Sequence, residues 1–109
     1  MLKIYPVILE TIRMMKPVIV QIERHDSDLA RQLRRALSSV ALGVAEGMYS
    51  RGRNRGARYH TALGSARESL SCVEVADAHG YVSGVDAAML ARWNHIIGTL
   101  VRLVGVGSA

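Results

Sequence analysis

Between Leu29 and Gly47 the chain runs nineteen residues, LARQLRRALSSVALGVAEG, without a proline. At about 3.6 residues per turn, Leu29, Leu33, Ala36, Leu37, Val40, Val44 and Met48 fall on one stripe. This spacing fits a helix and leaves no room for a strand, whose apolar residues would alternate. Arg31, Arg35 and Ser38 lie opposite the stripe, and so do Leu42 and Tyr49. The helix thus carries a core face along its length and a second apolar surface in its lower half. An apolar outer face on a small helical protein points to a partner, so Leu42 and Tyr49 are expected at a subunit interface.

The same period recurs three more times. Ile8, Thr11, Ile12, Met15, Val18, Ile19 and Ile22 share a face, with Pro6 in the first turn and Pro17 on the polar side, where it is expected to kink the helix. His25 to Asp28 reads as a turn, with Asp26 or Ser27 as the cap of the second helix. Ser50 to Gly56 reads as a flexible Arg/Gly loop, and a third helix is expected from about Asn54 or Arg55 to His79. Tyr59, Ala62, Leu63, Ala66, Leu70 and Val73 form its stripe, and Gly80 stops it. A fourth helix, with Ser83 as its expected cap, carries Val85, Met89, Trp93, Ile96, Ile97, Leu100, Leu103 and Val104. The expected fold is all-α, an antiparallel up-down-up-down four-helix bundle. One domain spans 1–104, and 105–109 reads as a flexible tail.

Charge is concentrated in the middle. Residues 31–67 hold eight arginines against Glu46 alone, whereas 1–30 balance and 68–109 carry two bases against four acids. Arginine favours bidentate contact with phosphate or carboxylate. Arg31, Arg51, Arg53, Arg55 and Arg58 are the expected nucleic-acid contacts. With no exposed aromatic expected near the Arg/Gly stretch, binding is expected to run through the backbone rather than by base stacking. Glu46, the lone acid of the block, calls for an ion-pair partner, with Arg34, Arg35 and Arg67 as candidates. Glu68 is the second carboxylate expected in structural or interface ion pairs.

No catalytic or metal chemistry is expected. None of the five glutamates precedes a histidine by three residues, as di-iron bundles require, and His25, His60, His79 and His95 lack ligand spacing. Cys72 stands alone without a neighbouring base, which fits a buried thiol in a reducing, cytoplasmic setting. No cofactor, no secretory leader and no membrane span are expected.

Gln32, Arg34-Arg35-Ala36, Ser39 and Ala45-Glu46-Gly47 match a Q-[IL]-R-R-A-x-x-S…A-E-G pattern, continued by Ala62-x-Gly64-Ser65, Glu68 and Gly80-Tyr81. In these residues, from about Leu29 to Val82, the chain resembles the small bacterial four-helix-bundle family first noted in intervening sequences of 23S ribosomal RNA genes. That family is similar to the accessory protein of diversity-generating retroelements. The chain departs from it at Gly43, where the family has Asn, at Ala41, where it often has proline, at Ser69, where it has an apolar residue, and at Arg58, where it has an aromatic. The resemblance implies a homopentameric ring with a basic face and no catalytic activity. Through the retroelement relative, it implies RNA or DNA and a reverse transcriptase as partners.

Overall fold

Every apolar stripe read from the sequence becomes a helix. The computed structural model describes residues 2–83 and 85–108, with side chains described as far as 105. Five helices follow one another: α1 (Ile4–Met14), α2 (Lys16–Glu23), α3 (Ser27–Met48), α4 (Arg53–Ala78) and α5 (Ala87–Ser108). Among the described residues there is no strand.

α1 and α2 form one rod interrupted at Met15. Pro17 has no N–H to donate and its ring crowds the preceding turn, so the ladder must skip a step. The Met15 N–H bonds the Thr11 and Ile12 carbonyls, and the Ile19 N–H takes up Met15 O at 2.9 Å. The apolar register survives the break, with Ile8, Met15, Ile19 and Ile22 all buried. The four rods close into a ring of neighbours, α1/α2 against α3, α3 against α4, α4 against α5 and α5 against α1. This is the layout of a four-helix bundle, and it measures 43 × 25 × 20 Å.

The termini of the helices follow backbone chemistry. The Asp26 carboxylate accepts from Leu29 N–H at 2.9 Å and caps α3. Asp86, rather than Ser83, caps α5 by accepting from Met89 N–H, so Val85 precedes the helix instead of opening it. At the end of α4, Gly80 takes φ +78, Tyr81 N–H reaches back to Ala76 O, and Gly80 N–H reaches Asp77 O. That double closure is a Schellman motif. α5 continues through Gly105 to Ser108 where a tail was expected, and Ala109 lies outside the described residues.

Without phenylalanine the core is filled by Ile8, Met15, Ile22, Leu33, Leu37, Ile96, Leu100 and the single Trp93. α3 and α4 meet through small residues. A methyl group on Gly43 would stand 3.0 Å from Ala62 Cβ, and one on Gly47 would overlap the Tyr59 ring. These glycines therefore set the spacing of the two helices. No helix among the described residues is long and apolar enough to cross a membrane.

Candidate nucleic-acid interface

The link between α3 and α4 runs over residues 49–52, and α4 begins one or two residues before the expected Asn54 or Arg55. Tyr49 N–H and Ser50 N–H return to Glu46 O and Gly47 O, and the Ser50 hydroxyl donates to Glu46 O at 2.8 Å. Gly52 then takes φ +59, a conformation that side chains rarely adopt, and α4 begins at once. Arg53, Asn54, Arg55 and Gly56 form its first turn instead of a flexible loop. The Arg55 N–H bonds Gly52 O, and its Nε donates to Ser50 O at 3.0 Å, which holds the link in place.

This start breaks the usual rules for a helix N-terminus. Gly52 offers no side-chain cap, and the first turn contains no acid. Arg51, Arg53 and Arg55 instead stand where the helix dipole is already positive. Arg51 and Arg53 are exposed, with no ion-pair partner among the described residues. Unsatisfied backbone donors and guanidinium groups thus face the same solvent, an arrangement suited to anions.

The other expected contacts divide. Arg58 lies one turn further along α4, but its guanidinium pairs with Glu46 at 3.3 Å. Arg31 pairs with Asp28 at 2.7 Å, and it sits about 30 Å up α3 from the link, so it does not join the cluster. Glu46 therefore finds a partner that the sequence reading did not name. Arg34 and Arg35 are three turns away on the same helix, and Arg34 instead bonds Glu23 of α2. Antiparallel packing brings Arg58 level with Glu46, because the register is set where Gly43 and Gly47 touch Ala62 and Tyr59. Both partners are more than half exposed, so the pair contributes under about 1 kcal/mol.

The residues expected at an interface lie on the outer surface of α3 and α4. Leu42 is 60% exposed and Tyr49 88%. Arg35, Arg67 and Glu68 are exposed without ion pairs among the described residues. A shallow groove of about 470 Å³ runs beside Arg34, Arg35, Ser38, Leu42, Glu46 and Thr61. At its edge the Ser65 hydroxyl donates to Ser39 Oγ at 2.7 Å. The expectation of no exposed aromatic near the arginines fails at Tyr49, whose ring stands in solvent beside them. Tyr49 precedes Ser50-Arg51 directly, and its place opposite the stripe was the signal of that exposure.

Cys72 is buried, and burial, then the Glu68 carboxylate, push its thiol above the ordinary value. His25 and His79 lie parallel to the Tyr81 ring, with centroids 5.0 and 4.9 Å away. No group of three or more metal-ligating side chains occurs among the described residues. No protein-family model matches the chain, and neither a curated protein nor a solved structure is found to be similar to it.

Proposed function

We propose that this protein is a non-enzymatic, cytoplasmic, basic homo-oligomer that grips the phosphate backbone of RNA or DNA with little sequence preference. One observation carries the reading. Three arginines crowd an uncapped helix N-terminus, where acids would stabilise the fold and cations oppose it. The bond to Ser50 O offsets this for Arg55, but Arg51 and Arg53 break the rule without compensation among the described residues, as residues kept for a ligand do. Resemblance to the ribosomal intervening-sequence family agrees with the reading and favours a pentamer, which would repeat the cluster around a ring and multiply weak contacts.

The test replaces Arg51, Arg53 and Arg55 with Gln and titrates mixed-sequence RNA and DNA at several salt concentrations. Each lost phosphate contact removes about 0.7–0.9 from the log–log salt slope, so the triple variant should lose about 2 to 3. The Arg51→Gln and Arg53→Gln changes alone should leave the melting temperature unchanged or raised, because those cations oppose the dipole, whereas Arg55→Gln also removes the bond to Ser50 O. Absence of binding by the unchanged protein at about 100 μM, the weak end of non-specific affinity, would refute the reading.

A second reading rests on different residues. Leu42 stands bare on α3, and Arg31, Arg34 and Arg58 are already spent on Asp28, Glu23 and Glu46. On that reading the protein is an oligomeric scaffold for itself or for a protein such as a reverse transcriptase, without a nucleic-acid role.

A further inference from the structure

We infer that Tyr49 is a stacking platform for an unpaired base, which makes the arginine end of the bundle selective for a single strand over a duplex. The inference rests on the phosphate-binding reading and adds the class of nucleic acid to it. Tyr49 is the most exposed large apolar side chain described, at 88%, whereas Leu42 on the same outer face keeps 40% of its surface covered. It occupies the position after the last turn of α3, with φ −104, at the end of the rod rather than along its flank. Buried apolar partners do not hold it, so the fold gains little from an aromatic ring there.

The surroundings supply what a nucleotide needs. Ala45, Glu46, Tyr49, Ser50 and Arg58 line an open depression of about 520 Å³. Its one carboxylate, Glu46, is paired to Arg58, which lowers the repulsion a polyanion would meet. Arg51 and Arg53 follow Tyr49 within four residues, and Arg55 is fastened to Ser50, the residue next to the ring. A base laid on the phenol therefore has guanidinium groups within reach of its flanking phosphates. In a duplex the base faces are covered by their neighbours, and this ring has nothing to stack on. Single-strand sites elsewhere in protein chemistry combine the same two parts, an aromatic face and a basic track.

The experiment compares Tyr49→Ala and Tyr49→Phe with the unchanged protein. The probes are labelled 20-mers: mixed-sequence single-stranded RNA, single-stranded DNA and the DNA duplex, and a DNA strand abasic throughout. Tyr49→Ala should weaken single-strand binding about 5- to 100-fold. Duplex binding should stay within about twofold and the salt slope should not move, because the phosphate contacts remain. Tyr49→Phe should bind like the unchanged protein, and the abasic strand should show no difference between it and Tyr49→Ala. Equal losses on strand and duplex, or no loss on either, would overturn the inference while leaving the phosphate reading intact. A smaller assembly for Tyr49→Ala by light scattering would overturn it in favour of a subunit contact. Failure of the unchanged protein to bind any probe would overturn both.

Discussion

A methyl group added at Gly47 would overlap the ring of Tyr59, which is itself buried and cannot swing aside. Gly47→Ala should therefore destabilise the fold by about 1–3 kcal/mol as α3 and α4 are forced apart. Gly64 is the opposite case, exposed in mid-helix with nothing within 4 Å of an added Cβ. Gly64→Ala should stabilise by about 0.5–1 kcal/mol through backbone entropy alone. Thermal melts of the two variants, moving in opposite directions, check both expectations. Gly43 lies between them: a Cβ there would stand 3.0 Å from Ala62 Cβ and 3.2 Å from the Arg58 carbonyl oxygen, so its neighbours would have to give by a few tenths of an ångström. Cys72 makes a prediction about pH. Burial, then Glu68, raise its thiol above the ordinary 9.0, so the folded chain holds the proton longer than the unfolded chain. That contribution is complete below the unfolded value and is lost as pH rises through the folded one. Denaturant midpoints measured upward from about pH 8 should fall more steeply for the unchanged protein than for Cys72→Ala, by at most about 1.4 kcal/mol per pH unit.

The apolar stripes were legible because burial repeats with the helical period, and Ile8, Leu33, Leu37, Leu63 and Trp93 lie where that period puts them. The ends of helices were less so. Asp26 announced α3 because a carboxylate before an apolar run is a direct cap signal. α4 gave no cap signal, since its start depends on the positive φ of Gly52, and it opens at Arg53, one or two residues before the expected Asn54 or Arg55. Val85 drew the start of α5 too early, and Asp86, one residue later, supplies the cap. The candidate site was half readable. A basic cluster near residue 53 is plain from charge alone, but the partner of Glu46 depends on antiparallel register. Contacts between glycine, alanine and Tyr59 across two helices set that register, and no spacing within one helix encodes it.

On the outer surface shared by α3 and α4, Leu42 is the exposed apolar side chain along the helix flank that the subunit-interface expectation names. If Leu42 seats a second copy, Leu42→Asp should reduce the mass seen by light scattering and leave helical circular dichroism unchanged, because the side chain touches no core residue's place. A monomer for the unchanged protein at micromolar concentration would refute that expectation. The two ends of the rod are also closed in different ways. At one, the parallel rings of His25, Tyr81 and His79 fasten the turn before α3 to the turn after α4, and the Schellman bonds lie just beneath them. At the other, a single guanidinium bond from Arg55 to Ser50 O spans a link with little buried surface. Thermal opening should begin at this second end, so the amides of residues 53–56 exchange with solvent sooner than those flanking Tyr81. A polyanion held there would be gripping the part of the bundle that breathes most, and its binding would register first as slowed fraying rather than as a change of shape.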